Sequence, residues 1–217
     1  EGSTKEAIRQ GELAKAWGAV GLMILPPMRY KSDHRETVTY FRTFAASTDL
    51  PVMIYNNPVD YKIDVTPDMF DDLQSSKNIT AIKESTRDVT NITRLINRFG
   101  DRYKILCGVD TLAMEELVLG ADGLVAGLVC AFPAETVAIY KLVKAGKIAE
   151  AKKIYRWFMP LLELDIHPKL VQYIKLAEAQ AGIGSEYVRA PRLALVGEER
   201  ERILKVINDG IAARPGL

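Results

Sequence analysis

AVGLMILPP (19–27) is a short, continuous apolar run closed by two prolines. A strand wetted on one face alternates apolar and polar residues, whereas a strand covered on both faces does not. The run therefore predicts a strand buried in a parallel sheet. Before it, Ser3-Thr4-Lys5-Glu6 has the form of a capping box, and Ala7, Ile8, Leu13, Ala14 and Trp17 recur at helical spacing until Gly18. After it, RETVTYFRTFAAST (35–48) returns to helical spacing.

The same beat continues along the chain. PVMIYNN (51–57) reads as the next strand, and Thr66-Pro67-Asp68 supplies an N-cap, an N1 proline and an acid matched to the helix dipole for a helix to about Leu73. ITAIKES (79–85) reads as a strand. It is followed by a helix (VTNITRLINRFG), a strand (YKILCGVD), a helix (TLAMEELVLG), a strand (DGLVAGLV) and a helix from Pro133. Five apolar strands, each followed by a helix, imply right-handed crossovers and a parallel sheet.

From about Lys147 the alternation stops. Three amphipathic helices are expected there, IAEAKKIYRWFMPLLELD with a kink at Pro160, PKLVQYIKLAEAQAGI and EERERILKVINDGI. The expected organisation is a β/α part over 1–146 and a helical extension over 147–217. No G-x-G-x-x-G or G-x-x-x-x-G-K phosphate loop occurs, and spacing alone leaves an open doubly wound sheet and a β/α barrel both standing.

Composition narrows the function classes. The chain has 29 basic and 28 acidic residues with no long block of one sign, which argues against nucleic acid and anionic membrane as partners. Cys107 and Cys130 form no C-x-x-C pair, and His34 and His167 stand far apart, so no zinc-ligand spacing is present and no metal or other cofactor is expected. Two cysteines suit a reducing, cytoplasmic location, and neither a long apolar span nor an export leader is visible.

In parallel β/α folds the chemistry collects at the C-terminal ends of the strands. The polar groups expected there are Tyr55 with Asn56 and Asn57, Lys83 with Glu84 and Ser85, Cys107 with Asp110, and Tyr30 beyond Pro27. Lys83 stands out because it ends an apolar strand, where desolvation favours the neutral, nucleophilic amine. Such an amine forms an iminium with a ketone, and the iminium then permits C–C or C–O cleavage without a metal. Tyr55, on the neighbouring strand end, is the candidate proton carrier. Taken singly, a strand-terminal lysine is more often ion-paired, here with Glu84, and a strand-terminal tyrosine is more often amphipathic packing. The two together, at neighbouring strand ends of one alternating array, add weight to the catalytic reading. Cys107 and Cys130 read as small buried hydrophobes, and both histidines read as surface or turn residues.

IYNNP, followed 28 positions after Tyr55 by Lys83 in AIKES, resembles the dihydrodipicolinate synthase and N-acetylneuraminate lyase family of Schiff-base aldolases. ILCGVD, DGLVAGLV and the helical tail fall in the family's order, so the resemblance covers essentially the whole chain. It implies a (β/α)8 TIM barrel represented by strands 4–8 with a C-terminal three-helix extension. The first three strands and a Gly-Thr-Thr-Gly-Glu-like carboxylate loop would then be absent. It further implies a homo-oligomer, tetramer or dimer, acting on a small-molecule 2-oxo or 2-imino acid, with Lys83 forming the iminium and Tyr55 relaying protons. Gly108 and Val125 would lie near the 2-oxo acid.

The resemblance also bears on the substrate. Dihydrodipicolinate synthases generally carry an arginine shortly after this motif to hold a carboxylate of the aldehyde. This chain has Val59-Asp60-Tyr61-Lys62, and Asp60 would repel that carboxylate. LPPMRYKSD lacks the family's paired tyrosines, leaving Tyr30 or Arg29 to substitute. LPPMRYKSD, YNNPVDYKID and HPKLVQYIKLAEAQAG resemble instead the 1-pyrroline-4-hydroxy-2-carboxylate deaminase branch, with Asn57 and Asp60 as substrate-binding candidates. The alternatives are a 4-hydroxy-tetrahydrodipicolinate synthase or another pyruvate-dependent aldolase, a non-catalytic ligand-binding barrel, and an inert fragment.

Overall fold

The structure, a computed structural model, describes residues 2–27 and 31–216. Five strands, β1 (Leu22–Ile24), β2 (Val52–Asn56), β3 (Ile79–Glu84), β4 (Lys104–Cys107) and β5 (Gly123–Leu124), form one parallel sheet in the order β1-β2-β3-β4-β5. Each strand neighbours the next in sequence, as β/α crossovers of one hand require. The register pairs Tyr55 with Lys83 and Lys83 with Leu106. Because side chains alternate along a strand, these three share one face of the sheet, and Asn56, Glu84 and Cys107 share the other.

The expectation of a (β/α)8 barrel present as strands 4–8 is corrected by this sheet. The chain has an α/β fold on a five-stranded parallel sheet, and among the described residues no strand pairs with the outer edge of β1 or β5. Closing a barrel requires tilt and stagger to be shared round a full ring of strands. Here the outer strands are three and two residues long. Pro26 and Pro27, which offer no N–H to a ladder, follow the first of them.

The chain divides into two compact units, Glu1–Gly108 with Leu119–Leu124, and Val109–Val118 with Val125–Leu217. The first holds all five strands with α1 (Thr4–Ala16), α2 (His34–Ala46), α3 (Pro58–Tyr61), α4 (Pro67–Asp72) and α5 (Thr90–Phe99). Its helices start where their caps dictate. The Ser3 side chain accepts from Glu6 N, Asp33 and Glu36 form a complete capping box, and Thr66 accepts from Met69 N. Phe41, Phe44, Ile54, Phe70, Ile82, Ile92 and Leu95 form the core beneath these helices, each contributing about 1.5–3 kcal/mol through burial. Asn78 Nδ2 donates to Ala45 O and Thr48 O, both at 2.9 Å, tying the start of β3 to the end of α2.

The second unit contains α6 (Ala113–Val118), α7 (Pro133–Lys144), α8 (Ile148–Leu162), α9 (Leu170–Gln180) and α10 (Gly197–Ala212). Pro160 lies in the last turn of α8, which passes into a 3-10 turn at Glu163–Ile166. Phe132, Trp157 and Phe158 pack ring against ring, and Trp157 Nε1 donates to Gly210 O at 2.9 Å. A Cβ on Gly210 would stand 2.7 Å from Leu161 Cδ1, so glycine lets α10 approach α8 closely. Cys107 is buried as expected, but Cys130 is exposed.

Arg214 donates through Nε and Nη2 to the buried Glu135 carboxylate. Burial works to raise the Glu135 carboxyl, but the Arg214 hydrogen bonds outweigh it and hold the group below the usual carboxylate range. Its stabilising contribution is therefore present above the unfolded-state value and is lost as pH falls through the folded-state one. Arg214→Ala is expected to cost about 2 kcal/mol at neutral pH, a figure reduced because the guanidinium is partly solvated. Urea midpoints should show that deficit shrinking as the solution is acidified into the carboxylate range.

Candidate active site

Two rows of side chains emerge on one face at the ends of β2, β3 and β4. The lower row is Tyr55, Lys83 and Leu106, paired laterally in the register. Ser85 N donates to Asn56 O and Gly108 N to Glu84 O, extending both ladders one step past the strands. The upper row is thus Asn57, Ser85 and Gly108. Lys83 and Tyr55 are half-buried, whereas Asn57 and Ser85 are buried.

Lys83 Nζ stands over the Tyr55 ring, 3.9 Å from its centroid, within the range where the ring quadrupole attracts an ammonium. Glu84 is not its partner. Pleating sends Glu84 to the other face, where its carboxylate accepts from Thr86 N at 2.7 Å and Asn91 Nδ2 at 2.9 Å. Complete burial raises the Glu84 carboxyl against those two hydrogen bonds, and Asp64 adds to the rise. Asn56, also wholly buried, bonds Val65 N through Oδ1 at 2.9 Å and Val65 O through Nδ2 at 3.1 Å. These outward-facing polar residues fasten the loops after β2 and β3, which fixes where Tyr55 and Lys83 stand.

Asn57 caps the four-residue α3, with Pro58 at its first position and Oδ1 accepting from Asp60 N at 3.2 Å. Its amide nitrogen donates to Tyr55 Oη at 3.1 Å and to Asp60 Oδ2 at 2.7 Å. Asp60 itself is exposed. Tyr61 meets the Tyr55 ring edge-on, with centroids 5.5 Å apart. Burial raises the Tyr61 phenol, and neighbouring Tyr55 and Asp60 add to that rise.

Gly108 leaves the space that Lys83 and Ser85 occupy. A Cβ there would lie 2.0 Å from Ser85 Oγ, 2.8 Å from Lys83 Cε and 2.9 Å from Lys83 Cγ. Ser85 Oγ has no hydrogen-bond partner among the described residues. A buried hydroxyl left unpaired costs about 1–3 kcal/mol.

The residues singled out in the sequence are thus mostly brought together. Tyr55, Lys83, Asn57, Asp60 and Gly108 all belong to the first unit and to these strand ends. Val125 lies in the second unit, half-buried on the segment after β5. Tyr30 and Arg29 lie outside the described residues. Ser85 was seen at the strand end without a role, although period two from Lys83 already put it on the same face. Tyr61 was missed because a four-residue helix is too short to show a hydrophobic period. Asn57-Pro58, a cap followed by an N1 proline, was its available signal. Among the described residues there is no cluster of three or more metal-ligating side chains, and no helix is long and apolar enough to cross a membrane.

Residues 1–209 match the model of the Dihydrodipicolinate synthetase family. The 4-hydroxy-tetrahydrodipicolinate synthase of Methanothrix thermoacetophila is 30% identical over 94% of this chain and 69% of its own length. That of Geotalea daltonii is 28% identical over 95% and 71%. The crystal structure of dihydrodipicolinate synthase from Aquifex aeolicus superposes with a TM-score of 0.89 at 26% identity, covering 96% of this chain and 71% of that one. Fold and relatives together define a class I aldolase-type lyase built on a parallel β/α sheet. The chain belongs to the dihydrodipicolinate synthetase family.

Proposed function

We propose that the chain forms a Schiff base between Lys83 and a small 2-oxo acid, pyruvate in the first instance, with Tyr55 carrying the protons. The carrying observation is Lys83 Nζ over the Tyr55 ring at 3.9 Å, on laterally paired strand ends. In this reading the amine adds to the ketone carbon, and Tyr55 delivers a proton to the departing oxygen as water leaves. The iminium then draws electrons from the adjacent carbon, whose proton is removed to give an enamine. The enamine attacks an aldehyde, whose oxygen takes up a proton to become a hydroxyl, and water then hydrolyses the regenerated iminium to release the product and free Lys83. Ser85 Oγ, buried and unpaired beside the lysine stem, offers a hydrogen bond to the bound acid.

The relatives' names favour a 4-hydroxy-tetrahydrodipicolinate synthase, condensing pyruvate with an aldehyde. One observation favours a second reading, a 1-pyrroline-4-hydroxy-2-carboxylate deaminase. Asp60 puts a carboxylate one amide away from Tyr55, and a second carboxylate brought there by an aldehyde partner would be repelled. The same lysine would then add to the imine carbon and open the ring; removal of a proton beside the new iminium would expel the hydroxyl as water, and two further waters would hydrolyse the product to release ammonia and free Lys83. Borohydride with pyruvate is expected to inactivate the protein. Consumption of pyruvate with a carboxylated aldehyde supports the synthase, release of ammonia from the pyrroline supports the deaminase, and neither turnover nor inactivation would refute both.

Gly108→Ala tests the crowding. The added methyl has no room unless Lys83 and Ser85 move, so turnover is expected to fall by about tenfold or more and stability by about 1–3 kcal/mol. Steady-state rates and thermal midpoints measure the two.

A further inference from the structure

Tyr55 can serve as a proton carrier only if its hydroxyl hydrogen points at the reacting atoms, and the residues around it decide that. An amide nitrogen has two N–H donors. In Asn57 one goes to Tyr55 Oη at 3.1 Å and the other to Asp60 Oδ2 at 2.7 Å, while Oδ1 accepts from Asp60 N at 3.2 Å. Flipping the amide would set its oxygen against the Asp60 carboxylate and its NH2 against the Asp60 N–H, so the orientation is determined by the network. Tyr55 Oη is thereby an acceptor toward Asn57, and its own hydrogen must be donated elsewhere. Tyr61 edge-on at 5.5 Å closes one side of the ring, and Lys83 Nζ covers a face at 3.9 Å.

We infer that Asn57 and Asp60 are positioning residues, a clamp that holds the Tyr55 phenol in register with Lys83 and turns its proton toward the substrate. The inference rests on the reading of Tyr55 as the proton carrier. Asp60 acts through Asn57, as the anchor of the amide. The clamp is built into α3, whose cap and third residue are these two side chains. A placement error of about 1 Å in a proton-transferring group costs up to about a hundredfold in rate.

The test is Asn57→Asp, which caps a helix as well as asparagine does but has no amide donors. Two readouts need pyruvate alone: borohydride trapping at Lys83, and exchange of the pyruvate methyl protons in deuterated water. A third needs no substrate: the 13C resonance of the Tyr55 ring carbon bearing the hydroxyl, assigned by its loss in Tyr55→Phe. In N57D the adduct at Lys83 should persist, and maximal exchange should fall by about tenfold or more with half-saturation changed less than about twofold. The Tyr55 resonance should move. Asp60→Ala should lower maximal exchange too, and Asp60→Asn, whose oxygen still accepts from Asn57, should recover part of that loss. The D60A and D60N pair decides the matter if N57D does not fold. Wild-type exchange in N57D with an unmoved resonance, a loss confined to half-saturation, or equal losses in D60A and D60N would overturn the clamp. If the unsubstituted protein gives no adduct, the Schiff-base reading fails and the clamp's part in proton transfer falls with it, whereas an adduct with wild-type exchange in N57D overturns the clamp alone.

Discussion

Lys83→Ala is expected to lower turnover by at least about a thousandfold, because it removes the only proposed covalent attachment for the substrate rather than one of several binding contacts. Lys83→Arg should do the same. A guanidinium keeps charge at the position but offers no neutral amine, so equal loss in the two variants separates nucleophilic from electrostatic use of the lysine. Neither should unfold the chain. Lys83 is half-buried, its nitrogen stands over a ring rather than in an ion pair with Glu84, and removing it strands no buried counter-charge. Circular dichroism and thermal midpoints close to the parent, alongside lost turnover, are the expected pair of results.

Tyr55→Phe should lower maximal turnover by about a hundredfold to ten-thousandfold, the usual worth of a positioned acid or base. Its effect is distinct from that of Lys83. The ring persists in phenylalanine, so the surface beneath Lys83 Nζ is kept, while the Oη that accepts from Asn57 is lost. Adduct formation should then be slowed but still reach Lys83, whereas methyl-proton exchange should nearly cease. If Tyr55 were only packing, the phenylalanine variant would match the parent in both.

Much of this arrangement was legible in the sequence, for identifiable reasons. AVGLMILPP and ITAIKES lack alternation, so parallel strands were expected at β1 and β3. Ser3, Asp33 and Thr66 hold hydrogen bonds to the backbone at helix starts, and capping is a local signal. Lys83 and Tyr55 were picked out because each ends such a strand, and the register then set them side by side. The strand count of a barrel is another matter. Sheet closure depends on pairing between distant segments, which no local pattern encodes, and the resemblance supplied an expectation of barrel strands that the observed five-stranded sheet corrects. β5 is only two residues long although DGLVAGLV promised more. There Asp110 accepts from Gly127 N at 2.8 Å and Leu128 N at 2.9 Å, drawing the later residues into a turn within the second unit. The bond from Asn57 to Tyr55 was illegible for the same reason as Tyr61, since both depend on a helix of four residues.

The proposed chemistry depends on an iminium between Lys83 and a 2-oxo acid. Its most direct measurement is peptide mass mapping of the protein reduced with borohydride in the presence of pyruvate. One pyruvate-derived adduct is expected, on the peptide containing Lys83, present in Tyr55→Phe and absent from Lys83→Arg and from the sample without pyruvate. An adduct on another lysine, or none in the unsubstituted protein, would contradict it.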